Sequence, residues 1–375
     1  MNARPRLKPD RPPTFAAVAA ELVEQTLAPE RLQPLGHPED WPQPPDAPAL
    51  AAATWDKALG DITRDILSRP SRQFRARMCT LAWRLADGAG EVPPALPFLI
   101  EVVHAGSLIV DDIEDGSRER RGAPCLHLLH GTPLALNAGT WMYFWALELV
   151  QKVPVGEQLR ADLQRALLDT MYGCHLGQSL DLSVAVGALP RDAVYRTVAT
   201  TTALKTGALM ALAARLGALA AGAPAGRVDA LARFGRRLGM GLQMLDDFGN
   251  LNAPPGDHRA GAAAGDDAAA SGKALEDLRN GRPTWPWALA AEALDEPTFA
   301  RLQASVRALV DGADLDGTRA RALAAALRMA VGLKGRRQAQ RYLHAALDEL
   351  RAAVGEREEL LLLSNELARL EAAYG

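Results

Sequence analysis

Along most of the chain the apolar positions recur every three or four residues, the spacing that lines them up on one face of a helix. The pattern predicts helices over residues 59–67, 77–86, 96–112, 134–150, 158–182, 192–219, 228–250, 285–294, 296–310, 319–331 and 335–373. No stretch alternates with period two, and alanine and leucine outweigh the β-branched residues that favour strands. An all-α fold follows. Helix lengths and connections vary too much for a repeat array. The one long interruption, residues 251–272, is rich in Gly, Ala and Asp and too poor in large apolar side chains to pack.

The first fifty residues read differently. Residues 1–13 and 34–48 are proline-rich and flank one amphipathic segment at 15–27, which predicts a loosely structured extension over 1–48 and a compact domain over 49–375. The opening residues carry no apolar core of a signal peptide. The longest apolar tract, 208–223, is short and holds Arg215, so neither secretion nor stable membrane insertion is expected. A formal net charge of -3, with the arginines scattered, argues against a nucleic-acid partner. Cys79, Cys125 and Cys174 lack the paired spacing of a zinc site and are expected to be core fillers in a reducing cytoplasm.

Candidate chemistry gathers in residues 100–122, IEVVHAGSLIVDDIEDGSRERRG. On a helix, Asp111 and Asp115 stack on one face, Asp112 lies roughly 100° to the side, and His104 sits two turns earlier on the face of Asp111. Three like charges within a turn repel, and the nearest cations, Arg118, Arg120 and Arg121, follow a glycine that ends the helix. A divalent cation of the magnesium kind suits such a site, since it takes carboxylate oxygens and completes its shell with water and substrate phosphate. An acidic helix end paired with a basic loop is the other reading. Asp246 and Asp247 close a second apolar helix, with Asn250 four residues after Asp246. Gln178 and Asp181 share a face of a third, where a lone buried carboxylate needs a partner. Lys205 interrupts another apolar run, either reaching out to solvent or binding phosphate.

In order along the chain, LIVDDIEDGSRERRG, GQSLDL, LKTG, LQMLDDFGN and GKALEDLRNGRPTWP resemble the motifs of the polyprenyl (isoprenoid) diphosphate synthases, the trans-prenyltransferases of farnesyl and geranylgeranyl type. The resemblance covers roughly residue 56 to the C-terminus. It implies a single-domain helical bundle around a central cavity, working as a homodimer. The implied reaction is magnesium-dependent condensation of isopentenyl diphosphate with an allylic diphosphate. It further implies that Asp111, Asp115 and Asp181 hold two metal ions and Asp246 a third. Arg120, Lys205, Thr206, Gln243, Lys273 and Arg282 would hold the allylic diphosphate, and Arg72, Arg75, His104 and Arg121 isopentenyl diphosphate. Asp111, Asp112, Asp115, Lys205 and Asp246 form the implied catalytic set.

The chain departs from the family pattern twice: PSRQFR stands where the family has GGKxxR, placing Arg72 at the lysine, and Asn250 replaces the last aspartate of the second acidic motif. Two alternatives follow from these departures, a terpene synthase on the same scaffold that cyclises its allylic substrate, and a non-catalytic subunit of a heteromeric synthase.

By the same resemblance, product length depends on how far the growing tail runs down the helix bearing the first aspartates. Gly106 and Ser107, one turn before Asp111, are small and predict an open first level. The aromatic run Trp141, Tyr143, Phe144 and Trp145 on the next helix supplies either a floor or ordinary core. A product of about four isoprene units is expected, with farnesyl diphosphate next, and a ring at Gly106 is expected to shorten it.

Overall fold

In the computed structural model the described residues are 15–28, 31, 52–251, 270–312 and 317–373. They form two compact units, Met1–Arg69 and Pro70–Gly375. The first contains α1 (Phe15–Thr26), α2 (Ala52–Trp55), a π-helical turn at Asp56–Gly60 and α3 (Asp61–Ser68). The division falls at Arg69 rather than at the 48/49 boundary expected from composition. Helices α2 and α3 therefore group with the N-terminal segment, because α1, with Ala19 and Val23 buried, packs on α3. The proline-rich stretches 1–13 and 34–48 lie outside the described residues, as does most of the Gly/Ala/Asp interruption.

The second unit is helical throughout apart from a two-residue hairpin. It runs through α4 (Phe74–Leu85), α5 (Ala95–Glu114), β1 (Glu119–Arg120), β2 (Ala123–Pro124), α6 (Leu126–His130), α7 (Thr132–Val150) and α8 (Glu157–Ser183). There follow α9 (Arg191–Thr202), a π turn at Ala203–Gly207, α10 (Ala208–Ala220), α11 (Ala225–Asn250), α12 (Ala270–Arg279), α13 (Trp285–Ala293), α14 (Glu296–Val310), α15 (Thr318–Val354) and α16 (Glu358–Ala373). The all-α expectation holds. The predicted helix 192–219 is one continuous stretch in which the π turn inserts an extra residue per turn. Arg191–Ala220 is long and apolar enough to cross a membrane, but 61% of its apolar window is buried in this fold, as in a core helix.

Helix packing explains two glycines that sequence patterning misjudged. Separate helices were expected over 319–331 and 335–373; instead α15 runs unbroken through Gly332 and Gly335 to Val354, and the break comes at Gly355, whose φ of 77° suits glycine. Gly335 is a packing residue, since a Cβ there would stand 2.0 Å from the Phe248 ring of α11. Gly106 has the same role between α5 and α7: a Cβ would meet the Gly139 carbonyl oxygen at 2.7 Å, and a Cβ on Gly139 would meet that of Gly106 at 3.1 Å. Gly106, expected as a chain-length position, thus faces the neighbouring backbone and does not line the central cavity.

The closest approach of a glycine to another helix's backbone, among the described residues, lies between α4 and α10, where a Cβ on Gly217 would come within 2.2 Å of the Cys79 carbonyl oxygen. Backbone cannot retreat there without moving a whole helix. Gly217→Ala is therefore expected to destabilise the protein by about 1–3 kcal/mol through overpacking, and urea unfolding followed by circular dichroism will measure it.

Candidate active site

The cavity of the second unit, about 360 Å³, is lined by residues from α4 and the segment before it, α5, β1, α7, α8, α9, the π turn, α10, α11, α12, α16 and the segment entering α13. Each wall brings a motif into place by a local device. α5 is mostly apolar up to Val110, with Ile100, Val102 and Val103 buried, and emerges at Asp111 on the cavity wall. Buried Glu101, on the same helix, accepts the Ala76 N–H at 3.0 Å and so caps the first turn of α4, fixing the stretch that carries Arg72 and Arg75.

After Asp115 the chain reverses in a hairpin whose two turn residues, Arg121 and Gly122, both have positive φ (55° and 76°). This is the mirror-image turn that matches strand twist. It folds Arg120 back onto α5, where its Nε donates to Asp112 Oδ1 at 2.8 Å and its Nη2 donates to the same oxygen. Asp112 is 2% exposed and does not line the cavity. Expected among the catalytic acids, it stands here as a buried counter-charge to Arg120, which does line the cavity. Burial works against the Arg120 guanidinium, yet Asp112, with Asp111 behind it, raises its pKa above the ordinary value. Arg121 is buried and does not line the cavity, unlike Arg72, Arg75 and His104.

The acids of the first wall meet cations and amides from three other elements. Gln178 Nε2 on α8 donates to Asp111 Oδ1 at 3.0 Å and to Glu114 Oε2 at 2.6 Å. From the π turn, Lys205 Nζ lies 2.6 Å from Asp181 Oδ2 and 3.6 Å from Asp111 Oδ1. Such turns are frequent at functional sites, and this one was invisible in the 3.6-residue pattern. Arg282 donates through Nη2 to Asp115 Oδ1 at 2.7 Å and through Nη1 to the Asp181 carbonyl oxygen. Burial and the neighbouring Asp111 charge push the Asp115 carboxyl above its usual range, with Arg282 opposing.

On the second wall, Thr206 Oγ1 donates to Gln243 Oε1 at 3.0 Å, and Gln243 Nε2 donates to Asp247 Oδ1 at 2.8 Å. The other oxygen of Asp247 accepts the Trp285 N–H at 2.9 Å, capping α13. Asp246 faces the cavity, and buried Asn250 Nδ2 donates to its Oδ2 at 3.3 Å. Asn250 is a hydrogen-bond donor to Asp246 and does not line the cavity. Glu276 Oε1 accepts from Ser117 Oγ at 2.7 Å, tying α12 to the loop after α5. The Lys273 side chain lies outside the described residues.

Glu114, Met171 and His175 line the cavity without having been singled out in the sequence, whereas Tyr143, from the aromatic run read there as floor or core, also lines it. Cys174 was expected to fill the core, but it lines the cavity, and burial raises its thiol to about 11, so it is an inert neutral wall. Cys79 and Cys125 are buried, as expected.

Among the described residues no three His, Cys, Asp or Glu side chains converge as a ready-made ligand set for a metal ion. The donors nevertheless suit a hard cation. Asp111, Asp115 and Asp181 are carboxylates with 20%, 15% and 19% of their side chains exposed. The Lys205 ammonium between Asp181 and Asp111 shows that one cation can be shared by both.

A helical fold whose acidic motifs and basic side chains converge on one apolar-floored cavity defines an isoprenoid-synthase type of protein. The sequence model of the polyprenyl synthetase family matches residues 56–309, and the chain belongs to that family. It is similar to the geranylgeranyl pyrophosphate synthase of Eremothecium gossypii, 27% identical over 209 residues, 54% of this chain and 64% of that protein. Similarity to the geranylgeranyl diphosphate synthase of Methanosarcina mazei reaches 32% over 211 residues, 55% of this chain and 62% of that protein. The matches thus span less than two thirds of either relative. A solved structure of geranylgeranyl pyrophosphate synthase from Lactobacillus brevis aligns with a TM-score of 0.65 at 22% identity, covering 96% of this chain and 95% of that one, and shows the shared fold.

Asp111 and Asp112, adjacent in sequence, are expected to behave oppositely on substitution. Asp112→Ala leaves the Arg120 charge, 11% exposed, without its counter-charge, and is expected to cost about 3–5 kcal/mol of stability. Asp111→Asn keeps an acceptor for Gln178 and should shift stability by less than about 1 kcal/mol. Chemical denaturation of both variants checks the contrast.

Proposed function

We propose that this protein is a prenyltransferase that condenses isopentenyl diphosphate with an allylic diphosphate to make a short-chain all-trans prenyl diphosphate. The observation that carries the reading is the convergence of Asp111, Asp115, Asp181 and Asp246 with Arg72, Arg75, Arg120, Lys205 and Arg282 around one cavity. Away from these charges the same cavity is lined by Val103, Leu108, Met171 and Leu209. Charged groups there match a diphosphate and its counter-ions, and the apolar wall matches a hydrocarbon tail.

Asp111, Asp115, Asp181 and Asp246 would hold magnesium, which when bound stabilises the diphosphate as a leaving group. Lys205, Arg282 and Arg120 hold the oxygens of the allylic diphosphate as the bond from carbon 1 to oxygen breaks and the electron pair leaves with the diphosphate. Arg72, Arg75 and His104 orient isopentenyl diphosphate so that its double bond attacks the allylic cation. Arg75 Nε is buried without a hydrogen-bond partner, a donor suited to an incoming anion. The departing diphosphate takes the proton lost from the adduct, and the apolar wall keeps water from the cation. Arg72 and Arg75 on the cavity favour condensation over cyclisation, which uses no second diphosphate.

Two further assignments support this role. Leu168, Tyr172 and Leu176 recur every four residues on α8 and are 50%, 70% and 47% exposed, while Phe144 on α7 is 69% exposed. They suit a homodimer face, which sedimentation velocity tests. The names of the relatives favour geranylgeranyl diphosphate as product, and free thiols suit a cytoplasmic enzyme.

Incubating the protein with magnesium, farnesyl diphosphate and labelled isopentenyl diphosphate is expected to move label into an extractable prenyl diphosphate. Release of an unlabelled cyclised or hydrolysed tail would overturn the reading. Asp111→Asn is expected to lower the rate by at least about 10²-fold and to weaken Mn²⁺ binding, read by electron paramagnetic resonance, by about 10–100-fold.

A further inference from the structure

The position expected to set tail length, Gly106, is closed off by its contact with α7, so the wall beneath the aspartates is built by other residues. Gln178 bonds Asp111, and Arg282 joins Asp115 to the Asp181 carbonyl, so α5 and α8 run in step across the site, with α7 packed on both. One turn below Asp111, the cavity-lining residues are Ser107 on α5 with Cys174 and His175 on α8. Another turn down they are Val103 and Met171. Ile100 and Leu167, a turn further, are fully buried and do not line the cavity. Its depth from Asp111 to Val103 is thus about 12 Å of helix rise.

At the first of these levels a third helix intrudes. Tyr143, from α7, lines the cavity, and its Cε1 lies 3.5 Å from where a Cβ on Gly106 would stand. The close crossing at Gly106 and Gly139 lets α7 approach far enough to deliver this ring. Tyr143 meets His175 edge to face, with centroids 5.5 Å apart and planes at 76°. Ser107, the residue of α5 at this level, has only a hydroxymethyl group, whose Oγ donates to the His104 carbonyl at 2.8 Å. Burial, and then the charges of Glu114 and Asp111, raise the Tyr143 phenol, so the ring stays neutral and its hydroxyl stands near the acidic end.

We infer that Tyr143, braced by His175, is a specificity-determining residue: a ring delivered from α7 narrows the cavity one turn below Asp111 and limits the prenyl tail that fits. This rests on the proposed condensation, and it places the control of chain length on α7 and α8, leaving α5 with a small residue at that level. The half-buried ring, held at the α5–α7 crossing with the exposed His175 against its edge, has fewer ways to yield than a flexible aliphatic side chain. Tyr143→Phe keeps the constriction; Tyr143→Ala removes it.

Two readouts separate this inference from the condensation reading. In product analysis, Tyr143→Ala and His175→Ala are expected to lengthen the main product by at least one isoprene unit, and Tyr143→Phe to leave it unchanged. In calorimetric binding with magnesium, farnesyl and geranylgeranyl S-thiolodiphosphate, which do not ionise readily, serve as probes. The affinity ratio of the longer to the shorter is expected to rise at least tenfold in Tyr143→Ala over wild type. Binding needs no turnover, so a changed ratio in a protein that incorporates no isopentenyl unit would sink the condensation reading alone. An unchanged ratio and unchanged product in folded Tyr143→Ala would overturn the role of Tyr143. Should Tyr143→Ala fail to fold, Tyr143→Leu, which keeps apolar volume without the ring, replaces it in both measurements with the same criteria.

Discussion

The constraint on which this structure depends is electrostatic. Asp111, Asp112 and Asp115 crowd the end of one helix, Asp181 joins them from a second, and each is mostly or wholly withdrawn from water. Uncompensated, such a group of like charges would oppose folding by several kcal/mol per buried ion. The remedy comes from far along the chain: a hairpin returns Arg120, a π turn presents Lys205, a loop end sends Arg282, and Gln178 donates to two acids at once. The helices that supply these groups must then surround the acids, and the space left between them is the cavity. Site and fold answer the same demand.

The cations are not equivalent. Arg120 lines the cavity but is anchored from behind by Asp112, which is sealed from it. Lys205 and Arg282 serve Asp181 and Asp115, which line the cavity and remain partly exposed. These are placed to exchange partners for the proposed diphosphate and its counter-ions, since a charge at a wetted wall is held less tightly than one in the core. The second wall is quieter. Asp247 is committed to Gln243 and to the first turn of α13, leaving Asp246, steadied by Asn250, as the acid that faces inward.

Much of this could be read from residue order. Helix positions followed from the spacing of apolar residues, because a helix with one buried face prints that face into its sequence. The acidic and basic motifs marked the cavity because their chemistry needs particular residue types. What escaped detection were features whose signal lies in a partner. Gly335 looks like a helix end until Phe248 is placed against it, and Gly106 looks like an open channel until Gly139 is. Asp112 is chemically identical to Asp111, and only a rotation of about 100° around the helix separates support from site. The hairpin at Arg121 and Gly122 is too short for an alternating pattern, and the π turn leaves no mark on composition.

That π turn has a consequence for how the chain can change. A single extra residue at Ala203–Gly207 shifts the phase of everything after it, so α9 and α10 address different neighbours: α9 packs on α13, while α10 is enclosed between α4 and α11. The helix is in effect two rulers joined with an offset, and Lys205 sits at the joint. Loss of one codon here would leave a perfectly regular helix by every local measure, yet would turn one half against the other by about a hundred degrees. The length of this stretch is therefore as constrained as Lys205 and Thr206 are by their partners Asp181 and Gln243.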